Sequence, residues 1–539
     1  MTIYDFFKNK YLIYKYISTM LKKILFIISI CILSANTLLT YAQSTPQTPI
    51  LKFKSNTSAN APISIRLAST DGILKITLGE GQNAEEHTVS TDIIQMTPLT
   101  LRASVDNPLI SIEGNLIGLD CKSTNISEID LSNATLLQLL DISENAIQNV
   151  DLSNCAYLKY GYMMNNQISQ ITIGSLPLLE DLNVSFNNIT NIDISQLPVI
   201  KNFSCDKNNL TNLDISHNNT IEKLFCKNNQ LEVLNIENLT ALKELSCESN
   251  KITSLNISQA NNLQTIYAKD NLIESINFDN NPNLKEINIS INKITDIDIS
   301  SCTELEELYC FENELSTLIL STNKRLNTLS CGANKLTNID LTGLNLLESA
   351  SLSFNNLTSI ILQDCSSLQA IALDHNNMEQ IDFTPCSTLM MADISFNKIK
   401  GAKAESTIAS LPMRSEDNIG YIFFHNSVEY PDDIEGNIAT QTLIDNAKTR
   451  YWLLLNGEDP LTTYMESTDN QNIKIHVDEI NHTINISGQY QSLEIFSIKG
   501  YKVLQSSYRQ SLSTSILPSG VYIIRLKRNN LYISEKILL

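Results

Sequence analysis

From Leu116 to about Ser410 one 21-residue pattern recurs fourteen times, with starts at 116, 137, 158, 179 and onward to 389 and no insertion or deletion between them. The unit reads L-x-x-L-x-L/C-x-x-N-x-I/L-x-x-I/L-x-I/L. Leu242, Leu245, Cys247, Asn250, Ile252, Leu255 and Ile257 form one copy, and Leu305, Leu308, Cys310, Asn313, Leu315, Leu318 and Leu320 another. A fixed period of this length makes a stack of like coils, each burying its apolar side against its neighbours. Such a stack presents a long surface rather than enclosing a pocket, and chain length sets the number of coils rather than of globular domains.

Counting the first leucine of the unit as position 0, positions 3 and 5 are apolar while 2, 4 and 6 vary. That is the period of a strand, so each coil is expected to give one short parallel strand stacked at about 4.8 Å. Fourteen of them make a sheet roughly 65 Å long at that spacing. Position 8 is Asn in thirteen coils: Asn145, Asn166, Asn187, Asn208, Asn229, Asn250, Asn271, Asn292, Asn313, Asn334, Asn355, Asn376 and Asn397, with Thr124 the exception. A buried amide there donates to a neighbouring carbonyl and accepts from a backbone N–H where the chain leaves the strand. The ladder therefore reads as structural. Positions 10, 13 and 15 return apolar residues from the opposite side, as in Ile192-Asp193-Ile194-Ser195. Only five residues separate position 15 from the next coil, so the return is expected to be extended or a single short turn.

This unit resembles that of bacterial leucine-rich repeat proteins of the internalin-like, surface-exposed kind, especially the short-repeat form with Cys in the strand. The resemblance implies a concave sheet that binds proteins or cell surfaces and catalyses nothing. The expected fold is mostly β: a leucine-rich repeat solenoid of 14 coils at 116–410, with small modules at its ends.

Residues 43–115 alternate in short runs such as Ile63 to Leu67 and Leu74 to Leu78, with Asp71-Gly72 and Gly79-Glu80-Gly81 as turns, which suits a small β domain capping the first coil. Residues 411–465 read as an α/β closing cap. Tyr421 to Phe424 is a strand, Ile438 to Arg450 a short helix, and Trp452 to Leu455 a buried run with the sole Trp as core. A polar linker at 466–472 precedes short alternating strands at 473–539. By alternation alone this tail is either an export module or a further adhesive β module. It resembles the C-terminal sorting domain of the type IX secretion system, a small β-sandwich, on Leu517, Pro518, Gly520, Val521 and Tyr522 and on the Lys536-Ile537-Leu538 ending. The Tyr-Pro-Asn-Pro opening common in that family has no equivalent before Ile473. The resemblance implies contact with the secretion machinery.

The first 42 residues read as an export signal, best started at Met20: Lys22-Lys23, an apolar core from Ile24 to Leu33, and Thr40-Tyr41-Ala42 as cleavage site. Cys31 would be the acylated residue of a lipoprotein, but Ile30 stands where a small residue is needed. The expectation is a protein secreted from, or displayed on the outer surface of, a Gram-negative bacterium, touching membrane only during export or by anchoring. The net charge is −20. Five basic residues against Asp5 alone lie in the signal, so the exported part is more acidic still, and nucleic acid is excluded as a partner.

Ten cysteines beyond Cys31 all fall at position 5 (Cys121, Cys205, Cys226, Cys247, Cys310, Cys331) or position 18 (Cys155, Cys302, Cys365, Cys386). Position 5 is an interior site shared with Ile, Leu, Val, Ala and Met, so these residues read as small hydrophobes with free thiols. Parallel strands hold such Cβ atoms near 4.8 Å, beyond a disulfide's reach of about 3.5–4.5 Å. There is no C-x-x-C and no interleaved His, so no metal site or cofactor is expected. His87, His217, His375, His425, His476 and His482 are scattered, and no H-E-x-x-H, P-loop or G-x-S-x-G occurs, so no catalytic residue is assigned. Asp130, Asp151, Asp193, Asp214, Asp298, Asp340 and Asp382, all at position 14, form a convex stripe, read as a solvated face in preference to a loose Ca²⁺ site.

If position 5 points inward, positions 4 and 6 face the concave side. There Tyr162, Phe225, Tyr267, Tyr309 and Phe311, with Tyr160 at position 2, stand among Ser, Asp, Asn and Lys. Rigidly presented aromatics are typical interface anchors. The functional expectation is a non-enzymatic surface protein that binds a protein or glycoprotein on another cell surface. A structural surface or matrix component acting by self-association is the alternative.

Overall fold

A computed structural model describes residues 50–426, 435–457 and 459–461, and in the C-terminal segment 474–478, 483–487, 492–497, 502–507, 511–513, 517, 521–528 and 531–538. The export signal at 1–42, the linker at 466–472, and Pro518 and Gly520 of the sorting motif lie outside the described residues.

The N-terminal domain has six strands: β1 Ile50–Ser55, β2 Ile63–Ser69, β3 Ile73–Leu78, β4 Glu85–Thr88, β5 Thr97–Leu101 and β6 Leu109–Glu113. The first coil supplies β7 (Leu116–Asp120) on its concave side and β8 (Ile126–Asp130) on its convex side. β2 pairs antiparallel with both β5 and β7, Leu67 opposite Leu119, so the concave sheet runs on into the cap. β1 pairs antiparallel with β6 and β8, extending the convex side likewise. The cap thus covers both edges of the first coil, which would otherwise offer unpaired backbone groups to another chain.

Each later coil contributes a three-residue strand at positions 2–4, from Leu139–Asp141 to Met391–Asp393. Each but the last pairs in parallel with the strand 21 residues on, Tyr160 with Asp181 and Glu286 with Glu307 for example. Ladder hydrogen bonds continue beyond these short strands. Cys205 N–H donates to the Phe225 carbonyl and Lys207 N–H to that of Lys227, both at 2.8 Å. Position 7 then adopts left-handed backbone in all fourteen coils, with φ between 49° and 60° from Ser123 to Phe396. This corner lets the chain leave the strand while position 8 still donates to the next coil, as Asn145 N–H does to Asn165 O at 3.2 Å. The convex return is extended and pairs only in short ladders such as Asn149–Asp151 with Gln170–Thr172.

After Asn397 the period breaks. Helix α1 (Gly401–Ser410) replaces the convex return of the last coil: Thr407 Oγ1 accepts Ile381 N–H at 3.0 Å and Ser410 Oγ accepts Phe383 N–H at 2.9 Å. Strand Gly420–His425 then stacks in parallel on Met391–Asp393, and Trp452–Asn456 in parallel on that. Helix α2 (Gln441–Thr449) lies between them, its N-terminus capped by Thr440, which accepts Leu443 N–H at 3.2 Å. Trp452 is 1% exposed and its indole N–H reaches the Pro412 carbonyl at 2.8 Å.

A single apolar core runs from Leu51 through the coils to Leu454. A fully buried leucine such as Leu245 contributes about 2 kcal/mol by area removed from water. The C-terminal segment has two antiparallel sheets. One holds Lys474–Asp478, Thr483–Ser487 and Ser511–Ser513; the other holds Ser492–Ser497, Lys502–Ser507, Val521–Arg528 and Leu531–Leu538. They enclose their own core of Ile484, Ile486, Leu493, Ile495, Leu512, Tyr522, Ile524, Leu526 and Ile537.

Candidate binding face

The rigidity of the concave sheet comes from the asparagine ladder, which joins coils rather than closing single turns. Asn208 Nδ2 donates to the Val184 carbonyl of the preceding coil at 3.0 Å and to Cys205 of its own at 3.1 Å, while its Oδ1 accepts Ile189 N–H at 2.9 Å. The same three bonds recur through Asn250 and on to Asn397. Since each Asn reaches back one coil, the first coil has nothing to reach, and Thr124 stands there instead. Sequence reasoning missed the end of this ladder. Asn437 accepts Ile399 N–H at 2.8 Å and donates to Ile394 and Phe424 carbonyls at 2.8 and 2.9 Å, performing the same task in the cap. Its spacing from Asn397 is not 21, so the period did not reveal it.

The six aromatics assigned to partner binding are all half-buried on the strand side of the coils. Tyr160 and Tyr162 flank Gly161 on coil 3, and Phe225 lies on coil 6. Tyr267 (coil 8) donates its hydroxyl to Glu286 Oε2 at 2.8 Å, and Tyr309 (coil 10) to Glu307 Oε2 at 2.5 Å. Phe311 takes the Lys269 ammonium 5.5 Å from its ring centre. Burial, then these carboxylates, push the Tyr267 and Tyr309 hydroxyls well above the ordinary phenol range. Tyr162 is pushed up to about 12, by burial and then by Asp181.

A second aromatic feature escaped the sequence reading. Phe354, His375 and Phe396 occupy position 7 of three successive coils and stack, with centroids 4.0 and 4.3 Å apart. The 21-residue spacing of the three rings was the available signal, but position 7 was not recognised as a site. His375 Nδ1 lies 3.0 Å from Asp374, whose other oxygen accepts the Ser353 hydroxyl. The carboxylate, not the imidazole, receives the serine proton, unlike the hydroxyl–imidazole–carboxylate order of nucleophilic hydrolases.

The ten solenoid cysteines are buried and free. Burial pushes the Cys155, Cys247 and Cys386 thiols up to about 12, which keeps them protonated and unreactive. Among the described residues no group of three or more His, Cys, Asp or Glu side chains could hold a metal, and no helix is long and apolar enough to cross a membrane. In the tail, Leu517 packs against the local core, while Val521 and Tyr522 open a strand on which Tyr522 is buried.

Residues 468–539 match the family described as "Secretion system C-terminal sorting domain". The chain therefore carries a type IX export tail, and the protein is secreted or held on the outer surface of a Bacteroidetes-type Gram-negative cell. No curated protein matches the sequence. Among solved structures it is similar to the functional domain of InlJ from Listeria monocytogenes, which includes a cysteine ladder. The identity there is 20%, over 81% of this chain and 93% of that one, with a TM-score of 0.49. It is also similar to YopM from Yersinia enterocolitica WA-314, at 18% identity over 57% of this chain and 73% of that one, with a TM-score of 0.43. The leucine-rich repeat class rests on the fourteen coils of the chain itself.

Proposed function

We propose that this exported leucine-rich repeat protein is a binding protein that docks a protein or glycoprotein on another cell surface through its concave sheet and performs no chemistry of its own. The observation that supports this most is the band of Tyr267, Tyr309 and Phe311 within three successive coils, on a backbone fixed coil to coil by Asn271, Asn292 and Asn313. Half-buried aromatic rings with two torsions each lose little conformational entropy when a partner covers them. Their fixed spacing supplies the pre-organisation that converts contact area into affinity.

The test is binding of the purified exported protein to a panel of bacterial and host-cell surface proteins, beside a Tyr309→Ala, Phe311→Ala double variant. Binding that weakens at least tenfold in the variant is expected, as for paired anchors at an interface centre. Absence of binding by either form, together with concentration-dependent self-association, would replace this reading by a structural surface component.

A further inference from the structure

The concave sheet is not open along its whole length. At position 2, the side chains from Tyr160 to Glu307 (coils 3–10) are half-buried or exposed, whereas Thr328, Ser349 and Ala370 of coils 11–13 are buried. Those three are small, as are Ser330, Ser351 and Ala372 at position 4 of the same coils. Phe423 is the most heavily covered for its size. It pairs with Asp393, so it sits on the concave side of the cap strand Gly420–His425, yet it is 4% exposed and belongs to neither hydrophobic core.

The cover is the sorting tail. On its strand Val521–Arg528, Tyr522, Ile524 and Leu526 are buried in the tail's own core, so the alternate residues Val521, Ile523 and Arg525 face away from it. Val521 and Ile523 line one side of a cavity of about 40 Å³ whose other side includes Ser349, Ala370, Ala372 and Phe423. Phe496, Ile523 and Arg525 line a second, of about 140 Å³, against Met391 and Tyr421. Arg525 is paired with Glu494, stands over the Phe496 ring at 4.9 Å, and also meets the Tyr421 hydroxyl of the cap. Sheet faces pack about 10 Å apart, and small side chains on one make room for larger apolar ones on the other.

We infer that the tail docks its Val521–Arg525 face on coils 12–14 and the cap strand, and closes that end of the concave sheet to other partners. This rests on the reading of the concave sheet as the binding face, and it confines the open part to the coils before, where Tyr267, Tyr309 and Phe311 lie. Protein interiors leave few voids larger than a water. A seam that holds two such cavities, between domains with separate cores, is a contact that opens without unfolding either side.

The test is thiol labelling of residues 43–539, the chain without its export signal, whose ten native cysteines are all buried. Ser349→Cys, near-isosteric, reports the covered end; Asn202→Cys, at the same position of coil 5, reports the open part. Two further substitutions break the seam from opposite sides. Ala372→Asp places at position 4 the residue already there in Asp120, Asp141 and Asp393, and Ile523→Asp alters only the outward face of the tail strand. Ser349→Cys should label at least about tenfold more slowly than Asn202→Cys, as a site exposed only by local opening does. Either aspartate should speed Ser349→Cys at least about fivefold and leave Asn202→Cys unchanged, which also certifies the coils. Equal labelling of the two reporters in the unaltered background would overturn the inference. So would slow labelling of Ser349→Cys that neither aspartate changes, since neighbouring coils would then be the cover. Acceleration by only one aspartate would mean damage to that one domain and would overturn it too. These rates need no partner, so they leave the concave-face reading untouched; that reading fails instead if cell-surface binding survives the Tyr309→Ala, Phe311→Ala change.

Discussion

On the convex side Asp298 accepts Ser300 N–H at 2.9 Å, and the serine side chain and backbone together hold its carboxyl below the usual range. On the concave side Asp206 accepts Lys227 N–H at 2.9 Å, yet burial holds its carboxyl above that range. Other aspartates follow each pattern. Asp130, Asp193, Asp214, Asp340 and Asp382 share the lowered state through the Ser or Thr two residues on. Asp120 and Asp181 share the raised one through burial among side chains of adjacent strands. Convex carboxylates build the turn that follows the convex return in their coils, and Asn235, Asn256 and Asn277 do the same without charge. Asp120, Asp181 and Asp206 hold their charge where it is poorly solvated. A negative group in that condition favours a proton or a cationic partner.

Three experiments can break or sharpen this division. The largest effect should come from Asn250→Ala, at the joint between the two faces. It strips partners from the Cys226 and Cys247 carbonyls and from Leu231 N–H, and should lower stability by about 3 kcal/mol in chemical denaturation. The Tyr309/Phe311 double alanine should lower it by far less; an equal loss would make the concave aromatics structural. Next, Ile291 is a β-branched residue held at φ 55°, and Ile291→Asn should stabilise the fold by about 1 kcal/mol in the same assay.

The smallest effects lie in pH dependence and have opposite signs. A convex aspartate with a lowered folded pKa gives stability that is fully present above 3.8 and is lost as pH falls through the folded value. Asp298→Asn keeps the turn acceptor but not the charge, so it should be slightly less stable than the parent near pH 7 and match it once pH has fallen through the folded value. A concave aspartate with a raised folded pKa gives stability that is present below 3.8 and lost as pH rises through the folded value. Asp206→Asn should therefore be more stable than the parent at pH 7, with the gain vanishing below 3.8. Melting curves from pH 3 to 7 on both variants measure this; parallel curves would mean that the two faces do not differ.

The coils, their strand and the structural use of Asn were legible because apolar periodicity and a repeated amide are local signals. The left-handed corner at position 7 was not. The residues there include Phe186, Lys207, Ile291 and Glu312, which carry no turn signature of their own; pairing with the next coil imposes the conformation. Nor was the role of the position-14 aspartates legible, since Asp-x-Ser reads equally as a solvated face until the backbone shows the turn. The last coil hid for a different reason. Helix α1 and the displaced Asn437 interrupt the period, and Gly436 beside it fits because a Cβ there would lie 2.1 Å from the Asn397 carbonyl oxygen. On the concave face the aromatics could be placed, but their pairing with Glu286 and Glu307 depends on neighbours 19 residues away or on a shared strand, which only stacking brings together.

Because each asparagine bonds backward to the coil before it, every 21-residue segment carries its own connector. In-frame duplication or loss of such a segment would restore an equivalent joint, changing the length of the exposed face by about 4.8 Å each time. The two caps need never change, since each meets only its own terminal coil. The protein is in this sense a ruler whose span can be reset by unequal recombination, one graduation at a time, without redesign of either end.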